Sequence, residues 1–226
     1  MPFDPQAVSH FKSVAVALLG VLAAALGIWA VGLFGDYFEA NPIYTPIQFT
    51  EALGIDLFGA LIPIVVALVF LLMFLRTPKA PVKLILAFIV SVALAFLLCH
   101  VTPDGLAGYP LMFALGASLA ATAVNVYPKP LVNLQKNFAS TVKLTLACVP
   151  LSLFIVDLAY SAGFYGAVIG GNGLTDGVLL STLYAPVAVI GVFFALSYAS
   201  QMVLLVQTTR SESKIRSSAK TGAVAS

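Results

Sequence analysis

Asp157 and Asp176 stand nineteen positions apart in strongly apolar surroundings, one inside "LFIVDLAY" and the other inside "VIGGNGLTDGVLL". An ionisable group in the bilayer costs about 2.5–3.5 kcal/mol on insertion scales, so a carboxylate kept there has by default a functional reason. Two carboxylates held close cannot both ionise easily, and the pair can share a proton. One then acts as base towards a water while the other, protonated, polarises a carbonyl, which is the chemistry of aspartic proteases. Gly170, Gly171 and Gly173 precede Asp176. Backbone without side chains can approach a substrate strand there, or turn sharply into a helix. Gly171, Asn172 and Gly173 are the expected substrate-binding residues beside the expected catalytic pair, Asp157 and Asp176.

The same residues also have plainer roles. Thr175 and Asp176 open an apolar run, where Asp and Thr are preferred helix caps and the helix dipole favours negative charge. Asp157 lies about one turn from the end of its span, within reach of interfacial water. Asp56, in "ALGIDLFGALIPI", starts another span from the same side and reads first as a helix cap, second as a third acid. His100 ends a span on that side and reads as an interfacial histidine. These groups show no tight ligand spacing such as HExxH, so no metal is expected. "GGNG" lacks the strand context and the GK[ST] ending of a phosphate loop, so no cofactor is expected either. Lys143 is expected to snorkel to headgroups, and Pro63, Pro150 and Pro186 to kink their helices.

What positions such residues is a membrane-spanning bundle. The 226 residues are 61% hydrophobic and only 9% charged, with a mean hydropathy of +1.04; a soluble domain carries about 25% charged residues. The partner this composition demands is a lipid bilayer, and no nucleic-acid partner is expected. Apolar runs near the 20 residues that cross a core of roughly 30 Å predict spans at 13–34, 54–75, 82–101, 108–126, 139–160 and 178–206. The fold class is therefore all-α, an integral membrane bundle of six transmembrane helices over residues 1–209. Residues 210–226 are small, polar and basic, and read as a disordered cytoplasmic tail. Cys99 and Cys148 sit in apolar runs and read as buried small hydrophobes. "MPFDPQAVSHFK" precedes an apolar run too long for a signal-peptide core and shows no clear cleavage site, so no removable signal peptide is expected.

Charge then assigns sides. Arg76, Lys79 and Lys83, then Lys129 and Lys136, then Arg210, Lys214, Arg216 and Lys220 all fall on one side of such a bundle. Asp36, Glu39, Glu51 and Asp104 fall on the other. The positive-inside rule places the basic side, with both termini, in the cytoplasm. Asp157 and Asp176 then share one level near the outer interface, on consecutive antiparallel helices.

The stretches "IDLFGALIPIVVALVFLL" (55–72), "FIVDLAY" (154–160) and "VIGGNGLTDGVLLSTLYAPV" (168–187) resemble a prokaryotic polytopic membrane family of unknown function. That family carries an Asn-Gly-Gly-Ala-x-Ile-Pro-like motif, a Gly-Ala-Asp motif and a Gly-Gly-x-Gly-x-x-Asp-Gly motif. Asp56, Leu57 and Phe58 replace the Asn and glycines of the first, and Ile155 and Val156 replace the Gly-Ala pair of the second. The paired aspartates are in turn similar to intramembrane aspartyl proteases of the presenilin and signal-peptide-peptidase type. That likeness implies Asp157 as the first acid and Asp176 as the Gly-x-Gly-Asp acid. Here Leu174 and Thr175 separate Gly173 from Asp176, and the only Pro-Ala-Leu-like element, "APV" (185–187), lies on the helix of Asp176.

The expected function is thus an intramembrane aspartyl protease-like enzyme acting on a transmembrane peptide. The alternatives are a proton-coupled transporter, or a non-enzymatic subunit or scaffold with partner membrane subunits. A multi-pass protein of a prokaryotic plasma membrane is what the family resemblance implies. A reporter enzyme active only outside the cell is expected to work when fused after Asp104 and to be silent after Ala80 or Asn137. The opposite pattern would reverse the assigned sides.

Overall fold

The computed structural model describes residues 46–48, 53–77, 79–102, 105–126, 134–161, 167–170 and 176–224, together with Leu26. The expected span at 13–34 lies outside these apart from Leu26, and so do Gly171, Asn172 and Gly173. Five helices make up most of what is described: α1 (Ile62–Leu75), α2 (Ala80–Leu98), α3 (Pro110–Val126), α4 (Leu134–Ser161) and α5 (Gly177–Val224). Among the described residues, four apolar segments are long enough to cross a membrane: Leu57–Leu75, Ala80–Leu98, Asn137–Tyr160 and Gly177–Ala199. They are the helices of an integral membrane protein. The fifth, α3, is apolar but has only 17 residues.

The all-α expectation holds, with one local addition. Short strands cap one end of the bundle, where loops must pair backbone groups that no helix satisfies. β1 (Pro46–Gln48), β2 (Leu53–Asp56) and β5 (Ala167–Ile169) form a sheet in the order β1-β2-β5. β1 runs antiparallel to β2, while β5 runs parallel to it with Ile55 opposite Ile169. β3 (His100–Thr102) and β4 (Gly105–Ala107) pair antiparallel between α2 and α3. The predicted span at 54–75 therefore begins too early. Its first residues are a strand, and an apolar strand has the same hydropathy as a helix.

The parallel β2–β5 pairing fixes the site end of the fold. Ile55 and Ile169 face each other in register, so the next residues, Asp56 and Gly170, arrive level. Ile55, Ala60 and Ile169 bury together, with Phe154 of α4 packed against them. Asp56 then starts the first helical turn. Its Oδ1 accepts from the N–H of Phe58 at 2.9 Å and of Gly59 at 2.8 Å. That turn, Leu57–Leu61, is wound as a π-helix and runs into α1. Pro63 falls in the first turn of α1. Pro150 and Pro186 do lie inside α4 and α5.

α1 ends at Arg76, and Lys79 reverses the chain with a left-handed backbone (φ 59°). α4 is the centre of the bundle and packs on α1, α2, α3 and α5. Of its apolar window 56% is buried, against 17% for α2. α2 accordingly shows Leu97, Val82 and Ile89 to the surroundings. Alanines at the helix contacts, among them Ala87, Ala95, Ala117 and Ala121, let backbones approach, as lipid-embedded packing requires. Buried hydroxyls bond back to their own helices: Thr122 to the carbonyl of Ser118 at 2.7 Å, Thr145 to that of Thr141 at 2.9 Å, Ser152 to that of Cys148 at 2.7 Å. At the end opposite the sheet, Lys83 of α2 donates to Asn125 of α3 at 3.1 Å, and Asn125 donates to Thr141 of α4 at 3.3 Å.

α5 continues to Val224, so residues 210–224 are helical where the composition suggested disorder. No proline follows Pro186 to stop the helix. Cys148 is buried and Cys99 half-buried, both as free thiols.

The backbones of Gly59 and Gly170 come close together. A Cβ on Gly59 would collide with the Gly170 carbonyl oxygen and stand 3.0 Å from Cβ of Asp176. Gly170 has φ +73°, and a Cβ there would meet the Ala60 nitrogen at 2.6 Å. Gly59→Ala is expected to lower stability by about 1–3 kcal/mol, the usual cost of overpacking. Gly191→Ala, with nothing within 4 Å, is expected to leave it unchanged or raise it by up to about 1 kcal/mol. Detergent-denaturation midpoints measure both.

Candidate functional site

Asp157 and Asp176 border one cavity of about 40 Å³ at the sheet-capped end of the bundle. A water needs only about 10–15 Å³ of such space, so the cavity admits water. Four segments build it: the end of α2 with Cys99, the start of α3 with Tyr109 and Pro110, α4 with Asp157, and the start of α5 with Asp176 and Ser181. Phe113 and Leu153 supply apolar wall. The consecutive antiparallel helices α4 and α5 therefore bring the two expected acids to the same cavity.

Each carboxyl is held differently. Asp157 lies one turn before the end of α4, half-buried, and the backbone N–H of Gly170 faces its carboxyl as donor. Asp176 is 8% exposed. Its Oδ1 accepts from the Val178 N–H at 2.7 Å, and its carbonyl accepts from Leu180 at 2.9 Å, so it does cap α5. A carboxylate offers about four lone-pair positions, and capping is compatible with a second role at the cavity. Ser181 ties α5 to α3 by donating to the Pro110 carbonyl at 3.4 Å.

Asp56 is fully buried and caps its helix, as its position implies. It does not border the cavity, but Gly59, which it holds, touches Asp176. His100 is exposed on β3, its ring 6.4 Å from that of Tyr109. No cluster of three metal-ligating side chains occurs among the described residues. Cys99, Tyr109 and Ser181 were not singled out by sequence reasoning. Thiols, phenols and hydroxyls at helix ends carry no distinctive spacing, and only the fold gathers them.

No family model, curated protein or solved structure matches the chain. The site is therefore read from its own geometry.

Cys99 lies just past the end of α2, beside Asp157. Burial pushes its thiol up from the usual 9.0 to about 11, and the Asp157 carboxylate adds to the shift. A raised thiol pKa keeps the group protonated at neutral pH, with thiolate appearing only as pH climbs towards 11. In a Cys148→Ala background, maleimide labelling of Cys99 is expected to be about a hundredfold slower at neutral pH than that of an ordinary thiol. The rate should rise with pH, and Asp157→Asn should accelerate it at fixed pH by removing the neighbouring negative charge. An unchanged rate in Asp157→Asn would separate the two side chains.

Proposed function

We propose that this integral membrane protein is an intramembrane aspartyl protease-like enzyme with Asp157 and Asp176 as its catalytic pair. The observation that carries the reading is that both aspartates, at consecutive helices, border one cavity that admits water. The motif around Asp176 and its likeness to the presenilin type support the same chemistry. In this reading the chain has six spans with both termini in the cytoplasm, and resides in a plasma membrane.

The chemistry needs a water between the acids. One carboxylate takes a proton from that water as its oxygen attacks the peptide carbonyl carbon. The other carboxyl, protonated, donates to the carbonyl oxygen, giving a tetrahedral diol. Collapse breaks the C–N bond, and the leaving amine takes a proton from the pair. Gly171, Asn172 and Gly173 stand next to Asp176 in sequence and would face the substrate backbone.

A scaffold role is the second reading, favoured by the 2.7 Å cap from Asp176 to the Val178 N–H. A proton-coupled carrier requires an aqueous cavity at mid-span, whereas this cavity lies at one end of the bundle.

Purified protein in liposomes, given fluorogenic transmembrane peptides, tests the proposal. Asp157→Asn and Asp176→Asn should each lower turnover about 10²–10⁴-fold, the range for losing a general acid or base, at little cost in stability. Retained cleavage in both variants overturns the dyad. Absence of cleavage in the unmodified protein, across a varied peptide set, favours the scaffold.

A further inference from the structure

We infer that Asp56, a third buried aspartate, is a positioning residue that sets Asp157 and Asp176 against each other through the Gly59–Gly170 contact. The inference rests on reading Asp157 and Asp176 as the acting pair. It starts from a chain of contacts. Asp56 is 0% exposed and spends Oδ1 on two N–H groups, those of Phe58 and Gly59. Those two bonds fix the turn Leu57–Leu61, and with it where Gly59 and Ala60 stand.

Gly59 and Ala60 are the residues that meet the rest of the site. The α-carbon of Gly59 lies so near the Gly170 carbonyl and Asp176 that no methyl fits between them. Gly170, held at φ +73°, abuts the backbone nitrogen and Cβ of Ala60. The N–H of that same Gly170 faces Asp157. One carboxylate thus fixes a turn, and the turn seats one acid directly and the other through a single peptide. The β2–β5 register brings Asp56 and Gly170 level at the start, so the two ends of the linkage are set by the same sheet.

Positioning and direct participation make opposite demands on residue 56. An asparagine keeps the capping oxygen and is as good a cap as aspartate, but carries no charge and cannot exchange a proton. A glutamate keeps the charge but is one methylene too long for a fully enclosed position. In the full-length protein in liposomes, Asp56→Asn should preserve turnover. Asp56→Glu should lower turnover about tenfold to a hundredfold with KM unchanged, the effect of small misplacement of reacting groups.

Infrared carboxyl bands, assigned with Asp157→Asn and Asp176→Asn, give a readout independent of cleavage. Their pH titration should be unmoved by Asp56→Asn and displaced by Asp56→Glu. Loss of turnover together with displaced bands in Asp56→Asn overturns the inference and makes Asp56 a participating acid. Bands unmoved by Asp56→Glu overturn it as well. If the unmodified protein cleaves no peptide while the bands respond as stated, proteolysis fails and the positioning role stands. Should Asp56→Glu not fold, the asparagine arm decides alone.

Discussion

Everything at the site end of this protein depends on two backbones meeting where neither has a side chain. Gly59 and Gly170 belong to distant parts of the sequence, yet their main chains touch more closely than any Cβ would permit. The parallel pairing of β2 with β5 delivers them to that point. The enclosed Asp56 then holds one partner in place through two amide hydrogen bonds.

The body of the bundle obeys a different constraint. Lipid offers no hydrogen bonds, so buried polar atoms must be satisfied within the protein. Hydroxyls along α3, α4 and α5 do this by bonding to carbonyls one turn earlier. Two ends of the molecule need more than this local solution. At one, Lys83, Asn125 and Thr141 join three helices through side chains. At the other, the sheet and the two capping aspartates satisfy the helix starts. Between them α4 is packed on every other helix and gives the acids a rigid support.

Much of the membrane architecture is legible because the bilayer writes it as apolar runs. The segments ending at Leu75, Leu98 and Val126 follow the hydropathy closely. The capping roles of Asp56 and Asp176 are legible too, since Asp before an apolar run has few other local uses. Hydropathy is blind to the strand Leu53–Asp56, because a buried strand and a buried helix contain the same residues. It is equally blind to the helical course of α5 through residues 210–224, where a polar composition is compatible with either state. That Asp157 and Asp176 border the same cavity follows from counting antiparallel spans. The donors that hold them do not, because they depend on the Gly59–Gly170 contact between residues far apart in the chain. Cys99, Tyr109 and Ser181 reach the cavity only through tertiary packing.

α3 has 17 residues, a length of about 25 Å at the usual rise, against roughly 30 Å of hydrocarbon. Its first residue, Pro110, is part of the cavity wall. A helix shorter than its solvent draws the surface down to meet it, at a cost of fractions of a kcal/mol per Å of mismatch. Where α3 crosses such a bilayer, the shortfall would thin it beside the two acids and bring the water surface nearer to them. Acyl-chain length would then set how wet the pair is, so that lipid thickness enters the chemistry alongside the sequence.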